Sequence, residues 1–178
     1  MNAQGPVLLK LARETLVEAF GGPKVAVPDQ AWLMEPRAVF VTLHKHGELR
    51  GCVGQLTARF PLFEAVRQAA KAAAFHDSRF KPLGPEELAE VRIEVSVLSP
   101  LEPLDVATEA EALAALRPGV DGVVLTHGAK SGVFIPEVWK QLPEPREFLE
   151  HLKRKAGLPQ VWQPGTRVER FTAEQWSE

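Results

Sequence analysis

The apolar residues near the N-terminus recur at spacings that predict one helix followed by one β-hairpin. In GPVLLKLARETLVEAFGG at 5–22 they fall on one face of a helix, and Gly21 supplies the left-handed residue that ends it. RAVFVTLHK at 37–45 alternates as a strand does, and ELRGCVGQL at 48–56 is extended again. Because the intervening His46-Gly47 has turn composition, the two segments predict a β-hairpin.

The rest of the chain continues as a mixture of helices and strands. Apolar residues at helical spacing, Pro near a first position and a capping box predict helices at 61–75, 108–116 and 144–158, with a short helical turn at 85–90. Alternation or short apolar runs predict strands at 91–98, 123–127, 133–136 and 166–173. Since the strands arrive as hairpins rather than in βαβ order, we expect an α+β fold, mainly an antiparallel sheet with packed helices.

The predicted hairpin also fixes which side chains share a face. A turn at His46-Gly47 places Cys52 opposite Val41 and puts Arg50 and Cys52 on one face. His44 then lies on the other face, so this register disfavours a catalytic pair of Cys52 and His44.

Composition removes several classes of function. The chain has 178 residues, a length that suits one domain with one core or two small lobes. A net charge of −2 and a pI near 6.2 provide no basic surface for general nucleic-acid binding. No apolar run approaches about 18 residues, and the N-terminus has no signal-peptide pattern, so we expect a cytoplasmic protein with no membrane segment. A single cysteine excludes an internal disulfide framework.

The hexapeptide LRGCVG at 49–54 resembles the signature of the AMMECR-type domain family. Further resemblances lie at 74–104, at GAKSGVFIP (128–136) and at FLEHLKRKAGLP (148–159) with Trp162. The resemblance implies a single AMMECR-type domain over 1–178, two-lobed, with a smaller second lobe and the hexapeptide near a concave surface. It names no settled activity or cofactor, but it implies Memo-type dioxygenase-like and radical-SAM proteins as pathway partners.

Glycine inside a strand pattern marks a β-bulge or the close approach of another group, and Gly51 and Gly54 of the hexapeptide can do either. Close approach admits two interpretations. Either a segment of the same protein packs there and Cys52 is a small buried residue, or the glycines open a groove. The groove would make the protein a binding or accessory module for a small anionic ligand or a partner protein. Its lining would be Arg50-Gly51-Cys52-Val53-Gly54, with polar walls from Asp77, Arg79, Lys130 and Ser131.

An enzyme that uses Cys52 is the alternative function. Arg50 would anchor the substrate and lower the thiol pKa, and His76, oriented by Asp77, would serve as the base. For Asp77 and Arg79 we favour the alternative of a structural ion pair or loop-capping bonds that hold their segment. The five scattered histidines have no metal-ligand spacing, so no metal site is predicted, and GAKSG lacks the spacing of a nucleotide-binding loop.

Overall fold

The structure of the protein, a computed structural model, describes residues 3–178. Its helices are α1 (Gln4–Ala19), α2 (Leu62–Phe75), α3 (Glu109–Ala115) and α4 (Pro145–Ala156). Its strands are β1 (Ala38–Lys45), β2 (Glu48–Gly54), β3 (Val91–Leu98), β4 (Glu102–Leu104), β5 (Gly122–His127), β6 (Lys130–Phe134), β7 (Arg167–Phe171) and β8 (Ala173–Ser177). Short 3-10 helices occupy Ala31–Met34, Pro85–Glu87 and Pro136–Lys140. None of the helices within 3–178 is long and apolar enough to cross a membrane.

The first compact unit contains the chain up to Leu98 and the segment Glu174–Glu178. Its sheet has the order β2-β1-β3-β8, and β1 pairs antiparallel with both β2 and β3. Alternate residues of β1 and β3 are buried because one face of this sheet covers the core. The apolar faces of α1 and α2 pack against that core, which includes Leu8, Leu16, Val41, Val66, Ala70 and Val95.

The second compact unit is the continuous segment Ser99–Ala173. Its antiparallel sheet has the order β4-β7-β5-β6. The ring of Phe148 from α4 stacks on Trp139 with centroids 3.7 Å apart, in the middle of a separate apolar core. At the start of α3, Thr108 accepts a hydrogen bond from the Glu111 amide, as the capping-box pattern predicts.

The α+β fold with mainly antiparallel sheets is therefore confirmed. The alternation at 91–98 gives the bounds of β3 without error. The predicted strand at 166–173 instead contains all of β7 and the first residue of β8, with a break at Thr172. β4 was not predicted, because a three-residue edge strand that contains Pro103 has no alternation to detect.

The β1–β2 hairpin turns where the sequence predicts, but its register differs beyond the turn. His46 and Gly47 have φ of 52° and 82°, as a tight hairpin turn requires, and His44 pairs with Leu49. An irregularity between Leu43 and His44 then shifts the pairing by one residue. Cys52 consequently pairs with Thr42, and the predicted pairing with Val41 is wrong because β2 contains one extra residue at a β-bulge.

Candidate functional site

The bulge displaces Arg50 from the regular ladder and directs its guanidinium to Glu87. Arg50 donates from Nε and Nη2 to the two carboxylate oxygens of Glu87, at 3.1 and 2.9 Å. The carboxylate also accepts from Lys45 Nζ at 3.1 Å and from the Gly84 amide at 2.9 Å. The Arg50 side chain is only 14% exposed, so this bidentate pair is a packed structural contact. The Arg50 hydrogen bonds, followed by the Gly84 amide, lower the pKa of Glu87 to about 2.

Arg50 and Cys52 lie on opposite faces of the hairpin, contrary to the prediction. The Cys52 thiol is 3.1 Å from Thr42 Oγ1, whereas Arg50 shares Glu87 with Lys45. Thr42 and Lys45 are three residues apart in a regularly paired strand, so their side chains point to opposite sides. The guanidinium and the thiol therefore cannot line one face together.

The two glycines of the hexapeptide each lie against backbone of the same unit. A methyl group at Gly51 would overlap the carbonyl oxygen of Ala73 in α2, and one at Gly54 would overlap the carbonyl oxygen of Val39 in β1. Gly51 is buried by this contact. Of the two interpretations of these glycines, packing by the protein itself is the one that these contacts support.

Asp77 and Arg79 cover the outer side of β2 beside Cys52. β2 is an edge strand of its sheet. The Cys52 amide donates to Asp77 Oδ2 at 3.0 Å, and Arg79 Nη2 approaches the Cys52 carbonyl oxygen at 3.5 Å. Asp77 and Arg79 are also joined by a 2.7 Å ion pair. The Arg79 hydrogen bonds hold the pKa of Asp77 well below its usual range. The loop thus satisfies backbone groups that an edge strand would otherwise leave unpaired.

The environment of the Cys52 thiol opposes its ionisation. Burial raises the pKa of Cys52, and the hydrogen bond from Thr42 and the charge of Arg79 offset this only in part. His76, the predicted base, is exposed directly after α2, where its amide donates to the Ala72 carbonyl oxygen at 2.8 Å. Within residues 3–178 its ring makes no hydrogen bond to Cys52 or Asp77. The arrangement contains no activated thiolate of the kind a nucleophile needs.

Lys130 and Ser131 belong to the second unit, where they begin β6. Lys130 Nζ donates to the Gly157 carbonyl oxygen at 3.0 Å, and the Ser131 hydroxyl lies 3.3 Å from that of Thr126. Each side chain is therefore engaged within its own unit. Nor does the described part of the chain contain a group of three His, Cys, Asp or Glu side chains placed to hold a metal ion.

A cavity of about 160 Å³ adjoins the last two residues of the hexapeptide, Val53 and Gly54. We call it the hexapeptide cavity. Its apolar wall is formed by Val39, Val53, Phe60 and three alanines of α2. Its polar residues come from the position before β1, the segment after β2 and α2, namely Arg37, Gln55, Thr57, Arg59 and Gln68. Arg50, Gly51 and Cys52 are not among the lining residues.

Sequence reasoning did not find the polar side chains of this cavity. Arg37 precedes β1, and Arg59 follows β2 by five residues, so the two arginines flank the predicted hairpin in the sequence. That flanking position is the one signal that could have indicated them. Gln68 lines the cavity from α2, which no hairpin pattern includes, and its amide donates to Glu64 Oε1 at 3.0 Å.

Known proteins of one family match this chain over nearly its whole length. The profile of the AMMECR1 family matches residues 9–176. A Methanothermobacter thermautotrophicus protein is 41% identical over 98% of this chain and 94% of its own length. A Methanopyrus kandleri protein is 38% identical over 98% of this chain and 88% of its own. The crystal structure of an uncharacterised Pyrococcus horikoshii protein matches with a TM-score of 0.88 at 35% identity, covering 98% of this chain and 91% of that one.

Proposed function

This chain belongs to the AMMECR1 family, and from that premise we propose that it is a binding module that takes a small anionic molecule into the hexapeptide cavity. The observation that carries the proposal is the position of this cavity. It adjoins Val53 and Gly54 of the signature hexapeptide, and two arginines, Arg37 and Arg59, border it. A concave, largely apolar site with a few convergent polar groups is the usual form of a small-molecule site.

Arg50 and Cys52 of the hexapeptide already have partners inside the protein, although Arg50 Nη1 is buried without one. Arg50 is bound by Glu87, and the backbone of Cys52 is bound by Asp77 and Arg79. These contacts leave the hexapeptide as a rigid support, with the cavity at its end as the place for a ligand. A volume of about 160 Å³ suits a small molecule better than a side of a partner protein.

The enzyme that uses Cys52 is the weaker candidate. A nucleophilic cysteine needs a lowered pKa and a base within hydrogen-bond reach, whereas burial raises the pKa of Cys52. Partnership with Memo-type dioxygenase-like or radical-SAM proteins stays a prediction of the family resemblance.

The proposal is tested by titrating isotope-labelled protein with a panel of small anions, namely acetate, benzoate, citrate and inorganic phosphate, and following amide chemical shifts. We expect at least one anion to shift Val53, Gly54 and Ala69 saturably. Ala69→Leu should weaken that binding by about tenfold or more, because Ala69 is buried on the cavity wall. The matched control is Ala114→Leu, on an exposed position of α3, which should bind as the wild type does.

Two results would overturn the proposal. One is a panel in which no anion shifts the cavity residues of the wild-type protein, a measurement that needs no variant to fold. The other is unchanged affinity in Ala69→Leu that retains a cooperative unfolding transition. Binding that survives this substitution but is lost in Cys52→Ala would favour the cysteine alternative.

A further inference from the structure

We infer that the ligand of the hexapeptide cavity is a monocarboxylate with a compact apolar body, whose carboxylate is bound by the guanidinium of Arg37. This inference rests on the proposed function and names the chemical class of its ligand. Two observations carry it: the missing carboxylate partner of Arg37 and the composition of the cavity wall.

Arg37 differs from the other arginines of similar burial. Arginines with intermediate burial number five within 3–178, and four of them have a carboxylate partner in the protein. Those pairs are Arg13 with Glu178, Arg50 with Glu87 at 2.9 Å, Arg67 with Glu18 at 2.5 Å and Arg170 with Glu102 at 3.1 Å. Arg37 is the exception, since no carboxylate of residues 3–178 lies within 4.0 Å of its guanidinium. A half-buried guanidinium without a counter-ion is poorly solvated, and an anionic ligand would supply the partner that the fold withholds.

The Nε atom of Arg37 is buried and has no hydrogen-bond partner, as is also true of Arg50 Nη1 and Arg67 Nε, but those two side chains bind a carboxylate through other atoms. A carboxylate is the group that fits the Arg37 guanidinium, because its two oxygens accept in parallel from two N–H groups. The Arg50–Glu87 pair in the same unit has that geometry. One guanidinium without a carboxylate partner matches one carboxylate, and Arg59, which also lines the cavity but is exposed, can help to attract anions.

The backbone on either side of Arg37 is held in place, so the site is largely formed before a ligand arrives. The Arg37 amide donates to the Phe60 carbonyl oxygen at 3.4 Å, and the Leu62 amide donates to the Glu35 carbonyl oxygen at 2.9 Å. These bonds join the segment before β1 to the segment that leads into α2. The backbone at Arg37 is therefore already ordered, and ordering it costs little free energy when a ligand binds.

The remaining wall selects an apolar body of limited size. Val39 and Val53 from the sheet face Ala65, Ala69 and Ala72 of α2 across the cavity. The volume of about 160 Å³ is close to that of the engineered apolar cavity of about 150 Å³ that binds benzene in another protein. A carboxylate attached to an aromatic ring or a branched aliphatic group, about six to nine non-hydrogen atoms in all, fits that volume.

The experiment compares three probes by titration calorimetry and amide chemical shifts: benzoate, its neutral analogue benzamide, and inorganic phosphate. We expect benzoate to shift the amide resonances of Val53, Gly54 and Ala69. Benzamide should bind with an affinity lower by about tenfold or more. Arg37→Gln should lose benzoate binding by about tenfold or more, and Arg37→Lys should be intermediate because it keeps the charge and loses the paired donors. Arg146→Gln, at an exposed position of α4, is the matched control and should bind benzoate unchanged.

The following results would contradict the inference or the proposed function. Equal binding of benzamide and benzoate, or full benzoate binding by Arg37→Gln, overturns the carboxylate assignment. Binding of phosphate in the cavity without benzoate overturns this inference and leaves the proposed function standing. Failure of every anion to shift the cavity residues of the wild-type protein removes both. If Arg37→Gln does not unfold cooperatively, Arg37→Lys and the benzamide comparison still decide the question.

Discussion

Gly51 in β2 faces the carbonyl oxygen of Ala73 in α2 so closely that no side chain fits between them. A side chain at Gly51 would overlap that oxygen, and the carbonyl carbon of Ala73 would be only 3.0 Å away. Ala73 is in the last turn of α2, where carbonyl groups have no partner within the helix. The glycine therefore lets the helix end and the strand approach closely enough to close the apolar core of the first unit.

Gly51→Ala should destabilise the protein because the added methyl group has no space and the opposing atoms are backbone. The free energy of unfolding should fall by about 1–3 kcal/mol, as measured by urea denaturation. Cys52→Ala on the neighbouring position is the control, and it should cost less because it only removes a sulfur atom. A Gly51→Ala protein as stable as the wild type would show that β2 can move away from α2.

The Cys52 thiol should be alkylated slowly at neutral pH, since burial raises its pKa. At pH 7 we expect the iodoacetamide rate to be about tenfold or more below that of N-acetylcysteine, and to rise only as the pH approaches and exceeds 9. Thr42→Val should slow the reaction further at pH 8–9, because Thr42 stabilises the thiolate by a hydrogen bond. Thr172→Val, an exposed threonine of the second unit, is its control. Rapid alkylation of the folded protein at pH 7 would restore the cysteine enzyme as a candidate.

Asp77→Ala should expose the edge of β2 at Cys52. The Cys52 amide loses its acceptor, so its hydrogen exchange in the native state should accelerate by about tenfold, as measured by NMR. Arg79→Gln leaves the bond between Asp77 and the Cys52 amide in place and should change that rate much less. Equal protection in wild-type and Asp77→Ala protein would mean that Asp77 does not cover this strand edge.

Glu87 should make the stability depend on acid pH. Its pKa falls from 4.5 in the unfolded chain to about 2 in the folded protein, so the unfolded state binds the proton first. The stabilisation is therefore fully present above pH 4.5 and is lost as the pH falls from 4.5 through about 2, by up to about 3 kcal/mol. Glu87→Gln should make the free energy of unfolding nearly independent of pH over this range. Glu86→Gln, at an exposed neighbouring position, should leave the pH dependence unchanged. The same slope in Glu87→Gln and wild type would contradict this assignment.

The sequence was sufficient for the elements whose pattern is local. The alternation of β3, the turn at His46-Gly47 and the capping box of Thr108 and Glu111 each depend on neighbouring residues, and each appears as predicted. The glycines of the hexapeptide indicated that β2 could contain a β-bulge, but its position at Arg50 was not predictable, because one extra residue leaves both Leu49 and Cys52 in an extended pattern. A one-residue shift reverses faces, and this is why the shared face of Arg50 and Cys52 was wrong.

Less of the candidate site could be predicted from the sequence, because its contacts join residues that are far apart along the chain. The partner of Arg50 is Glu87, 37 residues away, in a short 3-10 helix whose sequence pattern indicates only a turn. The hexapeptide itself was found by resemblance. The cavity at its end forms only when α2 packs on the sheet, so the role that we assign to Arg37 depends on tertiary structure rather than on a motif.

The sheet of the first unit is completed by β8, although residues 99–172 separate β3 from that strand in the sequence. During synthesis on the ribosome, β3 therefore emerges long before the strand that pairs with it. The nascent chain must keep that open edge from joining other chains until β8 has been translated. An mRNA truncated within the second unit would give a protein that lacks β8. The edge of β3 would stay unpaired in that protein, which would be prone to aggregate.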